Sequence, residues 1–408
     1  MQTQVSLDDI FSNYTNGVGV FKNKDTLSAD FTPANIPHRQ AQIEQLAHMM
    51  APALRGEKPS NIFIYGKTGT GKSLCINKVT DGLESAAEKG GKGVKIIYLN
   101  CKMRNIADTE YRLLAQIISF FGESVPFTGL PTNTLYHKLF GILDKNGGNV
   151  ILVLDEIDAL LDKMGDDILY NITRINQEIE KTKITMIGIS NKPTFIDNLD
   201  PRIKSSLSEE EMVFPPYDAR EIKDILEERT KTAFNEGTIE YAAITKCAAL
   251  AAQENGDARK ALDLLRVAAE LCEREGGKRV TERHVNMAQE KLDKDRIIEI
   301  IRAQPKQSKM VLLAMLQLYR KERKAVQTGD VYTLYDRIAM ENGLKSLTQR
   351  RVSDLISELD MLGVINASVI SKGRYGRTRK INIQLNEKLV SVMSKTLGGE
   401  FPEAFINF

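Results

Sequence analysis

The sequence predicts an α/β protein of three domains: a parallel-sheet domain, a helical domain, and a small helical domain with a β-hairpin. Three observations predict this order. Short apolar runs alternate with helical patterns in the first half of the chain, as in a parallel sheet covered on both faces. Residues 218–295 show helical periodicity interrupted by glycines. Residues 303–385 combine three amphipathic helical patterns with two strand-like runs. We place the domains at 1–215, 216–297 and 298–408.

The composition excludes several classes of protein. The chain has 408 residues, of which 42% are hydrophobic and 27% charged, which is ordinary for a globular protein. No apolar stretch approaches the roughly 20 residues of a membrane-spanning helix, and the N-terminus lacks the basic start and apolar core of a signal peptide. The four cysteines form no C-x-x-C pair and the four histidines no H-E-x-x-H motif. We expect a cytoplasmic protein with reduced thiols.

The charge is divided unevenly along the chain. The formal net charge is only +2, but residues 303–383 contain 15 basic and 7 acidic side chains, so this segment carries +8 and the remainder −6. One interpretation is an ordinary solvated surface of lysines and arginines. The more specific interpretation is a positively charged surface that binds the phosphates of a nucleic acid.

The strongest local pattern is a glycine-rich loop between a strand and a helix. Residues 61–65 form an apolar, β-prone run, and the following eight residues match G-x-x-x-x-G-K-S before a helical pattern begins. Glycines let successive backbone N–H groups curl around phosphate oxygens, and the helix N-terminus adds partial positive charge. Lys72 would reach the β- and γ-phosphates of ATP, and Ser73 would bind Mg²⁺. The candidate ATP contacts here are Gly66, Lys67, Thr68, Gly69, Thr70, Gly71, Lys72, Ser73 and Leu74.

Two further apolar runs end in polar residues. Residues 149–154 lead into Asp155 and Glu156, and residues 184–190 lead into Asn191. Strand ends of a parallel sheet lie at the ligand-binding edge. Asp155 is therefore the expected Mg²⁺ partner through water, and Glu156 is the candidate base that activates the attacking water. Asn191 could lie between that water and the γ-phosphate, or it could be an asparagine of a turn.

The order of these elements resembles a AAA+ ATPase, a P-loop parallel-sheet domain followed by a helical lid. The resemblance implies catalytic roles for four residues. Glu156 polarises the attacking water, Asn191 is the strand-end sensor, and Arg259 is the sensor of the lid. Arg202, in the segment Asp200-Pro201-Arg202, would act on the nucleotide of a neighbouring copy, which implies assembly. Arg174 is a weaker alternative for that role.

Three segments narrow the resemblance to archaeal origin-recognition and helicase-loading initiators. They are Ile36-Pro37-His38-Arg39, Pro215 to Arg220, and Gly256-Asp257-Ala258-Arg259. Gln40 departs from the family pattern, which has an acidic residue there. The resemblance implies further contacts with ATP or ADP from Ile36, His38, Arg39, Tyr217, Arg229 and Arg259.

The third region has the pattern of a winged helix-turn-helix. Its third helical pattern begins after Thr348, a plausible N-cap, and is followed by two strands joined by a turn with two glycines and basic residues. Such a helix enters the major groove, and the wing follows phosphates or the minor groove. A winged helix that packs against protein is the alternative. The candidate DNA-binding residues are Gln349, Arg350, Arg351, Ser353, Lys372, Arg374 and Arg377.

Residues 101–147 lie between the second strand and the Mg²⁺-binding strand. Their helical spacing, for example at Leu114 and Ile118, fits core packing, whereas the resemblance implies a helix that contacts duplex DNA. Both interpretations stay open from sequence.

The combined patterns predict a DNA replication initiator. It would bind and slowly hydrolyse ATP with Mg²⁺, recognise double-stranded origin DNA, and help recruit or load the replicative helicase, next to other initiator copies that supply or receive Arg202. Its location would be cytoplasmic and nucleoid-associated. The alternative is a signalling or defence ATPase switch whose winged helix packs against protein.

Overall fold

The protein is described here from a computed structural model. The residues that it describes are 19–28, 31–103, 107–126, 129–192, 199–201, 203–204, 209–322, 324–371, 377–383 and 387–401. No helix in these ranges is long and apolar enough to span a membrane. The chain forms two compact units, Met1–Val285 and Asn286–Phe408. The predicted domain boundaries after residues 215 and 297 stay predictions.

A five-stranded parallel sheet is the centre of the first unit. Its strand order is β2–β3–β4–β1–β5. The strands are β1 (Asn61–Tyr65), β2 (Val94–Asn100), β3 (Gly148–Asp155), β4 (Thr182–Ser190) and β5 (Glu209–Val213). The α/β class and the parallel sheet predicted from the apolar runs are thereby confirmed. Strand β5, with the sequence Glu-Glu-Glu-Met-Val, lacks the apolar pattern that identified the central strands.

Helices cover both faces of this sheet. They are α1 (Gln40–Met50), α2 (Lys72–Lys89), α3 (Glu110–Ser119), α4 (Thr132–Asn146), α5 (Ile157–Met164) and α6 (Asp167–Glu178). Leu152 and Leu154 of β3 belong to one core, together with residues of α3, α4 and α6. Val153 belongs to the other, with residues of α1 and α2. Because side chains alternate along a strand, Asp155 shares the face of Val153 and points toward α2.

Three helices follow the sheet, and two of them begin at capping aspartates. They are α7 (Ala219–Ala233), α8 (Tyr241–Gln253) and α9 (Ala258–Arg274). Asp218 accepts hydrogen bonds from two backbone N–H groups at the start of α7 and completes a capping box with Glu221. Asp257 caps α9 by accepting hydrogen bonds from the backbone N–H groups of Arg259 and Lys260. The caps fix where α7 and α9 begin, one residue after the starts at 218 and 257 that the sequence pattern predicts.

The second unit is a winged helix, as the sequence predicts. Helix α10 (Glu282–Ala303) includes the division between the two units at residues 285 and 286. The helical pattern of the sequence predicts a helix over 281–293, so the observed helix ends ten residues later. The remaining helices are α11 (Lys306–Glu322), α12 (Thr328–Glu341), α13 (Gln349–Met361) and α14 (Glu387–Glu400). Strands β6 (Val326–Gln327), β7 (Asn366–Ser371) and β8 (Arg377–Asn382) form an antiparallel sheet in the order β6–β8–β7.

The predicted cap of α13 is confirmed. The Thr348 hydroxyl accepts a hydrogen bond from the Arg351 backbone N–H at 3.4 Å. Val352, Ile356 and Leu359 are fully buried, so the opposite face of this helix is left for solvent. Sequence reasoning missed β6 and α14. A strand of two residues carries no periodicity, and α14 becomes recognisable only where Met393 and Leu397 enter the core of this unit.

Candidate nucleotide site and nucleic-acid interface

The glycine-rich loop adopts a curled backbone between β1 and α2. Gly69 and Gly71 have φ values of 73° and 89°, in the left-handed region that a side chain disfavours. The Thr70 hydroxyl donates to the Lys67 carbonyl at 2.9 Å, which closes the turn. The loop also contacts the helical lid, which consists of α7 to α9 and the segment 214–218 that leads into them, because a Cβ on Gly69 would collide with the Asp257 carboxylate.

The Lys72 ammonium lies inside this loop. It donates to the carbonyls of Gly66 and Lys67 at 2.7 and 2.8 Å and to the Asn191 side-chain oxygen at 2.9 Å. Burial lowers the pKa of Lys72 to about 8, and the nearby Asp155 carboxylate opposes this shift. The bond to Asn191 brings the end of β4 against the loop, so two predicted site residues from separate segments, Lys72 and Asn191, lie in contact.

The Asp155 carboxylate is held by three donors. Its Oδ2 accepts a hydrogen bond from the Ser73 hydroxyl at 2.8 Å and one from the Tyr98 phenol, and its Oδ1 accepts from the Glu156 backbone N–H at 2.9 Å. Burial and the Asp155 charge raise the pKa of Tyr98, so the phenol keeps its proton. No group of three His, Cys, Asp or Glu residues within the described ranges could hold a metal ion alone. A hydroxyl and a carboxylate in contact do fit Mg²⁺ that takes its other ligands from phosphate and water.

Glu156 lies at the start of α5 in a left-handed conformation, with φ 54° and ψ 47°. Its carboxylate pairs with the Lys102 ammonium at 3.3 Å. A non-glycine residue in this region of backbone space costs free energy and is frequent at functional sites. Asp158, in the first turn of α5, accepts a hydrogen bond from the Ser190 hydroxyl at 3.1 Å.

A cleft opens beside the loop, with about 1080 Å³ of space between its walls including open solvent. Residues from three parts of the first unit form it: the segment before α1, the loop with α2, and the lid. The predicted site residues that line it are Ile36, Gly69, Gly71, Ser73, Leu74, Tyr217, Arg229 and Arg259. This combination of apolar walls and a phosphate loop is suited to a nucleotide.

Arg39 and His38 are placed differently. They are not among the described residues that line the cleft. The Arg39 guanidinium is buried on the Tyr217 ring, 3.8 Å from its centroid, and donates to the carbonyls of Thr70 and Pro215. Arg39 thus ties the loop to the lid entrance. The His38 ring bonds to Asp224 on α7 at 2.9 Å. Direct contact of either residue with nucleotide stays a prediction.

Arg229 holds a segment that sequence reasoning missed. Its guanidinium donates to the carbonyls of Thr26 and Phe31 at 3.2 and 3.4 Å and lies 4.7 Å from the centroid of the Phe31 ring. Ser28 and Phe31 line the cleft. The same segment contacts α9, where Lys24 pairs with Glu270 at 2.8 Å. A lone phenylalanine between polar residues carries no periodic signal, so only its tertiary contacts reveal its place.

Several predicted residues fall outside this description. Arg202, Lys372 and Arg374 lie outside the described residues, and of Arg377 only the backbone in β8 is described. The alternative to Arg202, Arg174, has its guanidinium 4.3 Å from the centroid of the Tyr170 ring on the same helix. The assignment of an arginine that acts on a neighbouring nucleotide stays a prediction.

The start of α13 presents the candidate DNA-binding residues to solvent. Gln349, Arg350 and Arg351 are exposed and Ser353 is half-buried. Arg351 pairs with Glu358 at 3.4 Å along the helix, whereas no ion pair of Arg350 occurs among the described residues. Arg379 of β8 donates to the Ser353 carbonyl at 3.2 Å and joins the wing to this helix.

The region 101–147 packs largely into the core where it is described. Leu114 and Ile118 of α3 are fully buried, as the packing interpretation expects. Phe120 and Leu130 are each 40% exposed. Because these two side chains are exposed, a contact with DNA stays a prediction for the loop between α3 and α4.

The fold and the cleft define a AAA+ ATPase that also carries a winged helix. Three family models match the chain in this order: AAA domain at residues 55–191, Cdc6 AAA+ ATPase-type lid domain at 223–290, and CDC6 C-terminal winged helix domain at 299–392. The chain belongs to the archaeal ORC1-type DNA replication proteins, and it is accordingly a DNA replication initiator.

The relatives that place it there match over nearly the whole chain. The ORC1-type DNA replication protein of Thermococcus onnurineus is 53% identical over 383 residues, covering 93% of this chain and 92% of the relative. That of Pyrococcus furiosus is 51% identical and covers 94% and 91%. The structure of the Aeropyrum pernix ORC1 protein in complex with DNA has 44% identity and a TM-score of 0.81, and covers 94% of this chain and 98% of that one.

Proposed function

We propose that this chain is a nucleotide-controlled initiator that binds Mg²⁺–ATP, hydrolyses it slowly, recognises duplex origin DNA and helps recruit or load the replicative helicase. The observation that carries the nucleotide part is the hydrogen bond from Ser73, which lines the cleft, to Asp155. The DNA part rests on the exposed start of α13 in a segment of net charge +8.

In the proposed reaction each side chain has one task. Lys72 would exchange its carbonyl partners for phosphate oxygens, and Ser73 with Asp155 would hold the cation. Glu156 would accept the proton of the attacking water, and Asn191 would orient that water beside the γ-phosphate. Arg259 would extend from the start of α9 to the phosphates, so that the lid senses which nucleotide is bound. A Mg²⁺ ion bound here neutralises charge on the transferring phosphoryl group.

Slow turnover is supported by the state of the proposed base. Glu156 pairs with Lys102 and lies in a strained backbone conformation. Such a carboxylate needs a rearrangement before it can act on water. A single copy would also lack the Arg202 that a neighbouring copy supplies to its nucleotide, and this would lower turnover further.

DNA recognition is proposed for the second unit. Gln349, Arg350 and Ser353 would face bases, and Lys372, Arg374 and Arg377 of the wing would contact phosphates or the minor groove. The complex of DNA with the ORC1 protein of Aeropyrum pernix, 44% identical to this chain, supports this proposal. From the proposed DNA binding we infer a cytoplasmic, nucleoid-associated location.

The test is a footprint of the full-length protein on genomic DNA that it retains at moderate salt. We expect protection of discrete sites, and loss of those sites when Gln349 and Arg350 are both changed to alanine. Helicase recruitment is then measured on the protected DNA with ATP and with ADP. Protection that does not depend on these two side chains would contradict the proposed role of α13.

The signalling-switch alternative predicts a different salt response. Phosphate contacts release counterions, so the logarithm of the DNA association constant should fall steeply with the logarithm of salt concentration. A winged helix that packs only against protein should bind no duplex even at low salt. Nucleotide binding is measured at the same salt concentrations without DNA. A protein that still binds nucleotide is folded, so its failure to bind duplex is then a loss of DNA binding and not of folding.

A further inference from the structure

The Mg²⁺-binding carboxylate has a partner on the edge strand that the motifs do not include. Tyr98 lies on β2, where it is opposite Val153 of β3, and Asn100 is opposite Asp155. Tyr98 packs against the core that includes α2, on the same face as Val153 and Asp155. Its ring therefore extends along the strands toward their carboxyl ends, and the phenol oxygen reaches the Asp155 carboxylate.

The hydrogen bonds at Asp155 leave little freedom to its side chain. One carboxylate oxygen accepts from the Glu156 backbone N–H, and the other accepts from both Ser73 and Tyr98. These donors come from three separate segments, so they fix the rotation of the carboxylate as well as its position. A phenylalanine at 98 would keep the packing and remove one of the three donors.

The arrangement also determines what the Ser73 hydroxyl can offer a cation. A hydroxyl has one proton and two lone pairs. Because its proton is donated to Asp155, both lone pairs of the Ser73 oxygen are available for a metal. Any rotation of Asp155 would release that proton to other acceptors and turn the lone pairs away. The Tyr98 phenol opposes this rotation.

We propose that Tyr98 is a positioning residue of the magnesium site, which holds Asp155 so that Ser73 presents its lone pairs to Mg²⁺ bound with nucleotide. This inference rests on the proposed nucleotide function. It assigns Tyr98 no contact with the cation or the phosphates, and its effect is specific to magnesium.

The experiment compares the full-length protein with Tyr98→Phe by binding of fluorescent ADP, first in EDTA and then across a magnesium titration. We expect equal affinities in EDTA within about twofold. The magnesium concentration that gives half of the gain in affinity should rise about five- to tenfold, as for the net loss of one typical intramolecular hydrogen bond. No catalytic turnover is required for this measurement.

The matched control is Tyr136→Phe. Tyr136 also donates from a half-buried phenol to a carboxylate, Glu110 at 2.6 Å, in the other core of the same sheet. The Tyr136→Phe substitution removes the same hydroxyl group as Tyr98→Phe, and it should leave the magnesium midpoint unchanged.

Two results would overturn the inference. An unchanged magnesium midpoint in Tyr98→Phe would show that the phenol does not position the site. An equal loss of affinity in EDTA and in magnesium would make it a general packing residue. If the unaltered protein itself binds no ADP, or gains nothing from magnesium, the proposed nucleotide function fails and this inference fails with it.

Discussion

The nucleotide cleft and the proposed DNA-binding surface at the start of α13 are built in opposite ways. Beside the cleft, Lys72 and Asp155 are buried and each is held by three hydrogen bonds. On α13, Arg350 is exposed and has no ion pair within the described part of the chain. The difference shows that the cleft is organised in advance, since phosphoryl transfer depends on position, whereas the proposed DNA surface leaves Arg350 exposed, where it can exchange counterions for phosphate.

The largest expected effect would separate catalysis from binding within the cleft. Glu156→Gln should lower ATP hydrolysis about 100-fold or more, because an amide cannot accept the proton of the attacking water. ATP binding, measured by calorimetry, should stay within about twofold. Asp162→Asn is the control, because this exposed carboxylate of the same helix pairs only with Lys192 among the described residues. Equal turnover in Glu156→Gln would remove Glu156 from the mechanism.

The next effect tests how far the cleft depends on Lys72. Lys72→Ala should weaken ATP binding about 10- to 100-fold, since charge-assisted hydrogen bonds to phosphate are lost. Lys89→Ala, an exposed lysine at the far end of the same helix, should bind ATP normally. DNA binding without nucleotide should persist in Lys72→Ala. Simultaneous loss of both activities would mean that the two regions are not separable.

A smaller effect compares two neighbouring arginines on α13. Arg350→Ala should weaken DNA binding about tenfold, and Arg351→Ala should weaken it less, because Arg351 must first leave Glu358. Titration of duplex DNA by fluorescence anisotropy at two salt concentrations checks both. A larger loss in Arg351→Ala would show that the ion pair does not withhold this side chain from DNA.

The smallest effect concerns the segment around Phe31. Arg229→Met should weaken ATP binding only a few-fold, about what a few tenths to 1 kcal/mol gives, because the guanidinium holds two carbonyls of that segment. Limited proteolysis should show faster cleavage near residues 26–31. Arg220→Met, at an exposed position of the same helix, is the control and should change neither property.

Much of the fold could be predicted from sequence because its elements are strongly periodic or strongly apolar. The strand before the glycine-rich loop, the strand before Asp155 and the winged helix with its Thr348 cap all agree with the structure. Strand β5 could not be predicted, because its glutamates alone do not suggest a strand. It pairs with β1 only once the sheet exists.

The sequence by itself determined the chemistry of this protein: a phosphate loop, strand-end carboxylates and a basic terminal module, each a local pattern with a fixed physical meaning. Only the tertiary structure decided which side chains contact one another. It placed Tyr98 on Asp155, turned Arg39 from the cleft to the carbonyls of Thr70 and Pro215, and brought Phe31 to the cleft wall. These contacts join residues far apart along the chain, and a hydrogen bond between distant segments leaves no periodic trace in the sequence.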